Sequence, residues 1–257
     1  MHTDAIRHEF SRQSAAFNVA PVMRSAETLQ SLINTVPASA APGTWVEVAC
    51  GPGLISRALA PKVRRIIGVD LTPAMLEVGR REAARAAIAN AGFIQGDAVQ
   101  LPFAAAALDG AVTRFSLHHI PLPGRCVTEM ARVVRPGGLV IIADHVTTAD
   151  GAAAAWHQEM ERLRDPSHWT CLTQEALQAT GERAGLSLQS ERLIPFSLEY
   201  EEWLTRGTGG PQMRGLIECL LRKRPEGVDS FRIVRDSGRH ITLHLTFWLS
   251  LWQRPDN

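Results

Sequence analysis

Lysine is almost missing from this chain: Lys62 and Lys223 are the only two in 257 residues, and arginine carries the rest of the positive charge. Tyrosine is scarcer still, because Tyr200 stands alone with Leu204 four residues on. That excludes a Tyr-x-x-x-Lys catalytic pair, and with it a short-chain nicotinamide dehydrogenase. Four cysteines are present, Cys50, Cys126, Cys171 and Cys219, and no two are spaced as CxxC. This argues against a disulfide framework and against a zinc site, and reads as reduced thiols in a cytoplasmic protein. No apolar run approaches the roughly 18 to 20 residues of a membrane span. His2 to Glu9 holds no apolar signal core. Neither sign of charge is in excess, since 27 Lys plus Arg face 26 Asp plus Glu for a net +1. A nucleic-acid glove and a polybasic membrane anchor are therefore excluded as defaults. The arginines are scattered and read as surface ion pairing.

What is present is alternation. From Thr44 onward, short β-rich runs alternate with helical patterns, the mark of a parallel sheet covered by helices on both faces. The predicted strands are Thr44–Ala49, Val63–Val69, Phe93–Gln95, Ala107–Thr113 and Leu139–Ala143. The clearest helix starts at Thr72-Pro73, a capping hydroxyl before a first-turn proline, and stops at Gly92. Near the C-terminus, Ile241, Leu243, Leu245, Phe247, Leu249 and Leu251 alternate with Thr242, His244, Thr246, Trp248, Ser250 and Trp252, which is a strand by its period of two. Asp236-Ser237-Gly238 would turn it back on Phe231–Val234 as an antiparallel hairpin. Residues 150–225, with Trp156, Trp169 and Trp203, exceed a crossover and read as a cap carrying one sheet strand. The expected organisation is an arm at 1–36, a binding core at 37–149, the cap at 150–225 and the hairpin at 226–257.

The informative stretch is Val46-Glu47-Val48-Ala49-Cys50-Gly51-Pro52-Gly53, a strand that ends in a small-residue turn. Gly51 and Gly53 would let a ligand approach the backbone at the carboxyl edge of the sheet. Asp70 closes the second strand, 23 residues after Glu47, where a carboxylate can accept from both ribose hydroxyls. Asp97 follows the third strand, placed to accept from an adenine amine while Ala98 offers its N–H. Three acids beside one turn suit a ligand bearing ribose, adenine and positive charge, and do not suit a pyrophosphate. A nicotinamide dinucleotide turn would also want a third glycine where Ser56 stands.

At these residues the sequence resembles the class I S-adenosylmethionine-dependent methyltransferases, in particular the small-molecule group that includes the ubiquinone and menaquinone biosynthesis enzymes. The resemblance runs from about Phe10 to Asp144. It is carried by Glu47 to Gly53, Asp70, Asp97-Ala98, Leu108-Asp109-Gly110 into Phe115-Ser116-Leu117-His118-His119, and Arg132-Val133-Val134-Arg135-Pro136-Gly137-Gly138. Ala49 stands where the family usually has the first glycine of GxGxG. The resemblance implies an α/β fold with a Rossmann-like, seven-stranded, mostly parallel sheet, a C-terminal antiparallel hairpin and an inserted helical cap. It also implies S-adenosyl-L-methionine as cofactor, S-adenosyl-L-homocysteine as product and a small-molecule acceptor. The cofactor would lie along Glu47, Ala49, Gly51 and Gly53, with Asp70 at ribose, Asp97, Ala98 and Met75 near adenine, the main chain of Arg114, Phe115 and Ser116 at the methyl donor, and Leu71 as a further cofactor contact. Phe17 belongs to an arm, Phe10 to Phe17, that looks like the segment closing over the cofactor in such enzymes. Met75 also reads as plain core.

For acid–base work the candidates are His119, His118 and His168, because imidazole titrates near neutrality and the first two follow strand four. Each also has a structural reading, as packing against the cap or shaping the Asp165-Pro166 loop. Trp156, Trp169 and Trp203 could line an acceptor pocket or form the cap's own core. The expected partner is a small molecule, without nucleic acid, membrane span or metal. A second copy of the chain is a further expectation, since a cap can bury its apolar face against a partner. A cofactor-binding but catalytically silent subunit would carry the same motifs.

Overall fold

A computed structural model describes residues 2–40, 43–225, 228, 231–235 and 241–256. The N-terminal arm is α1 (His2–Val19), two short turns and α2 (Ser31–Thr35). The core then runs β1 (Thr44–Val48), α3 (Leu54–Leu59), β2 (Arg65–Asp70), α4 (Pro73–Arg85), β3 (Ala91–Gln95), β4 (Leu108–Arg114), α5 (Pro123–Val133) and β5 (Val134–His145). The cap follows as α6 (Gly151–Arg164), α7 (Gln174–Arg183), β6 (Ser187–Glu199), α8 (Tyr200–Arg206) and α9 (Gly210–Arg222), and the chain closes with β7 (Phe231–Arg235) and β8 (Ile241–Gln253).

The sheet has the order β3-β2-β1-β4-β5-β8-β6, with β7 pairing β8 off that path. β1 to β5 are parallel, and β8 runs antiparallel to β5, β6 and β7. The mostly parallel sheet is as expected, but it has eight strands rather than seven. The extra one arises because β8 is longer than β5. Phe247 to Gln253 pair with β5, whereas Ile241 to Leu245 run on past it and pair with β7. The hairpin arms are therefore seen, and their turn at Asp236-Ser237-Gly238 lies outside the described residues.

Burial follows the pleat. In β1, Trp45 joins one apolar cluster with Leu59, Ile66 and Trp203, while Val46 and Val48 join the opposite one with Val127, Met130 and Trp248. The strict alternation read in β8 holds where it projects into the cap. It gives way to a run buried on both faces, Phe247 to Ser250, once it enters the sheet. Two local expectations need correction. Thr72 precedes α4, but its hydroxyl makes no capping bond and is buried without a partner; its N–H donates to Asp70 Oδ1 at 2.8 Å, and its carbonyl accepts the Met75 N–H at 3.1 Å. The helix also ends at Arg85 rather than Gly92: Ala87 turns left-handed (φ 53°) and Gly92 sits inside β3. Among the described residues, no helix is long and apolar enough to cross a membrane.

Candidate active site

The carboxyl ends of β1, β2 and β4 open onto a cavity of about 270 Å³. Its wall includes every residue expected at the cofactor except one: Phe17, Glu47, Ala49, Gly51, Asp70, Leu71, Met75, Asp97, Ala98, Arg114, Phe115 and Ser116, together with His119. The exception is Gly53, which does not line it. Gly53 is left-handed (φ 68°), and a Cβ there would come within 2.2 Å of the Phe93 ring, so its bare backbone makes room for Phe93 of β3 where the turn enters α3. Gly51 is different. It is also left-handed, but a Cβ would meet nothing nearer than Met75 Sδ at 3.9 Å, so this turn faces open space.

Backbone donors fix the acids. Asp70 Oδ2 accepts the Gly51 N–H at 2.7 Å, which ties the glycine turn to the end of β2. Glu47 Oε2 accepts both the N–H (2.7 Å) and the hydroxyl (2.5 Å) of Ser56, so Ser56 anchors the acid. Burial still pushes the Glu47 carboxyl up to about 7, and it raises Asp70 too. Arg114 is the nearby cation, lowered by burial to about 10, and its guanidinium donates to the Met23 carbonyl and to Thr28 Oγ1. It pins the arm to the end of β4. Ala49 and Phe115 both sit in the left-handed region (φ 52° each), a conformation that costs a residue with a Cβ about 1–2 kcal/mol.

A second, smaller cavity of about 50 Å³ adjoins the first and shares Phe10, Phe17, Met23, Phe115 and His119 with it. His119 lies at the junction, edge-on to the Phe10 ring at 4.8 Å. Its Nδ1 meets the Ser167 carbonyl at 3.1 Å, which leaves Nε2 as the free ring nitrogen. Burial, then His118, lowers it to about 3, so it is neutral near pH 7. His118 lines only the small cavity, and its Nδ1 bonds Asp144 Oδ1 at 2.7 Å. His168 lines neither cavity and binds Gln158 Oε1 at 2.7 Å. Sequence reasoning missed Asp144 as the partner of His118, although an acid at the end of β5 was a visible signal. It also missed Ile6 and Val99 as cavity walls, and had Phe10 only as the start of the closing arm. The tryptophans divide. Trp156 and Trp203 are buried in the cap core, Trp203 also touching the small cavity, while Trp169 is 43% exposed.

The sequence from 46 to 142 matches the family described as "Methyltransferase domain". The chain is 31% identical to the uncharacterized protein YafE of Escherichia coli, over 57% of this chain and 71% of that one. It is 29% identical to the uncharacterized methyltransferase YcgJ of Bacillus subtilis, over 92% and 94% of the two chains. The chain belongs to the class I S-adenosylmethionine-dependent methyltransferases. The fold of this methyltransferase agrees with the crystal structure of YcgJ at a TM-score of 0.84, with 27% identity over 91% of this chain and 100% of that one. The demethylmenaquinone methyltransferase of Renibacterium salmoninarum is 35% identical over 41% of this chain and 43% of its own.

Proposed function

We propose that this methyltransferase binds S-adenosylmethionine in the larger cavity and moves its methyl group to a small aromatic or quinone-like acceptor. The carrying observation is the adjoining pair of cavities, one edged by Glu47, Asp70 and Asp97, the other lined by phenylalanines on one side and by His118, Glu161 and Arg164 on another. The residues fit the cofactor. Gly51 leaves backbone open to it, and each Asp70 oxygen keeps a second acceptor site for a ribose hydroxyl. Asp97 and Ala98 lie with the apolar Val99 and Leu71 on a wall that suits a flat base. The bound cofactor supplies a methyl group already activated by sulfonium charge.

The protein's task is then positional: to hold the acceptor in line with that methyl and keep water out. The α1 arm, through Ile6, Phe10 and Phe17, closes the cavity in this reading, and Phe115 and Phe10 flank the acceptor ring. Where the acceptor must lose a proton, His118 is the better placed base, because Asp144 orients its ring and leaves Nε2 free at the small cavity. His119 is neutral and can accept a hydrogen bond at the junction. His168 acts only by positioning Gln158. A demethylmenaquinone methyltransferase among the relatives supports a quinone-like acceptor. The four free cysteines fit a cytoplasmic place of work.

Calorimetry with S-adenosylmethionine tests the reading. Wild type should bind it, and Asp70→Ala should bind at least about tenfold more weakly, the loss expected for a charged hydrogen-bond acceptor. Equal binding by the variant, or no binding by wild type, overturns it. Release of S-adenosylhomocysteine on addition of hydroquinone-type acceptors separates an enzyme from a silent binder.

A further inference from the structure

Below the small cavity lies a polar cluster that the methyl-transfer reading does not use. His145 ends β5, His157 lies in the middle of α6, and Cys171 sits in the segment before α7. All three are buried, at 7%, 0% and 3% exposure. One ligating atom from each can be chosen so that all lie within 4.8 Å of one another.

The two imidazoles are set in the same way. His145 Nδ1 faces Asp144 Oδ1 at 3.3 Å, and His157 Nδ1 faces Thr147 Oγ1 at 3.2 Å. In both rings Nε2 is buried with no hydrogen-bond partner. A buried polar nitrogen left unpaired is costly, and two side by side with a thiol ask for a common partner. The arrangement is that of metal-binding histidines, whose outer nitrogen is held by a carboxylate or hydroxyl so that the inner one presents its lone pair. A neighbouring trio, His118, Asp144 and His145, also has its atoms close together. It is already satisfied internally, because His118 Nδ1 and Asp144 Oδ1 bond each other at 2.7 Å.

We propose that His145 Nε2, His157 Nε2 and Cys171 Sγ bind one divalent transition-metal ion of the zinc type. Two imidazoles and a thiolate select such an ion over magnesium or calcium, which take oxygen ligands. Ligand atoms around tetrahedral zinc lie roughly 3.5 Å apart, so the three side chains close in by about 1 Å on binding. Cys171, which donates to the His145 carbonyl at 3.4 Å, gives up its thiol proton to solvent as the metal–sulfur bond forms. Water completes the fourth position. The ion would clamp α6 of the cap to β5 of the sheet, at the floor of the acceptor cavity that His145 lines. The expectation of no zinc site rested on cysteine spacing, which cannot register ligands brought together from three separate elements.

Cobalt(II) titration of full-length, chelator-treated protein, read by absorption, tests this. The expected result is saturation at one equivalent, with visible bands of four-coordinate cobalt and a near-ultraviolet thiolate charge-transfer band, both removed by zinc(II). Cys171→Ser should abolish the thiolate band and His157→Ala should weaken binding more than tenfold, while Cys219→Ser changes neither. No saturable binding by wild type, or a thiolate band that survives Cys171→Ser, overturns the proposal. Zinc-edge X-ray absorption of the wild-type protein needs no variant. One sulfur with two imidazole nitrogens supports the site, and a shell without sulfur refutes it.

Discussion

The molecule buries acids in two places and treats them in opposite ways. At the sheet's carboxyl edge, Glu47 and Asp70 are held by backbone and hydroxyl donors but lack enough positive charge, and burial raises both. In the cap, burial also pushes Glu161 and Asp165 up, but Arg164 together with the surrounding imidazoles and, at Asp165, the Ser167 donors more than offsets it, and both are held below the usual carboxylate range. Arg164 reaches Glu161 Oε2 at 2.9 Å and Asp165 Oδ2 at 3.6 Å, and Gln13 of α1 bonds Glu9 and Asp165. Glu47 is as buried as Glu161 and Asp165, although Asp70 is only half-buried, so for Glu47 compensation makes the difference. The cap is electrostatically complete by itself, whereas the sheet edge is short of a cation that a sulfonium ligand would supply.

Removing one acid from each region should therefore move stability in opposite directions. Glu161→Gln leaves Arg164 buried without its nearest partner, beside the more distant Asp165 and Glu9, and should destabilise the protein by about 3–5 kcal/mol in urea unfolding. A loss under 1 kcal/mol would mean the cap is not self-compensated. Glu47→Gln should do the reverse. An unfolded glutamate loses its proton near 4.5, but Glu47 keeps it up to about 7, so the folded state holds the extra proton between these values. Its contribution to stability falls as pH rises from about 4.5 to about 7 and is flat above. Glu47→Gln should thus be more stable than wild type by up to about 3 kcal/mol at pH 8 and equal to it near pH 4.5. The same variant should lose affinity for S-adenosylmethionine. A variant no more stable at pH 8 would place the missing charge elsewhere. The smallest effect tests backbone strain at the sheet edge: Ala49→Gly should raise stability by about 1 kcal/mol, read as an increase in Tm.

Much of the sheet edge was legible because its chemistry is local. A strand, a small-residue turn and an acid at the next strand end lie within one β-α-β unit, so Gly51 and Asp70 could be placed from order alone. The side-chain contacts that join arm, core and cap were not legible. His118 meets Asp144 across 26 residues, His119 meets Ser167 across 48, and Gln13 reaches Asp165 across 152. No spacing rule spans such distances. The local errors are of two kinds: at Thr72 the hydroxyl caps nothing, the Met75 N–H going to the Thr72 carbonyl instead, and at Gly53 an aromatic neighbour, not a ligand, required the missing Cβ. Each of the eight strands has its own signal in the sequence, and only the total of seven was short, because the pattern of β8 shows that it is a strand, not that it changes partners halfway.

β8 lies between β5 and β6, with Trp248 and Trp252 filling the layer beneath them. On the ribosome it emerges after both neighbours, so the sheet is completed by a late insertion into its interior rather than by growth at an edge. Until Ile241 to Gln253 arrive, β5 carries an unpaired flank although the whole 46–142 stretch that matches the family is already made. A chain halted at that stage would have its recognisable half and an open template for aggregation, which makes the last strand the step that commits the fold.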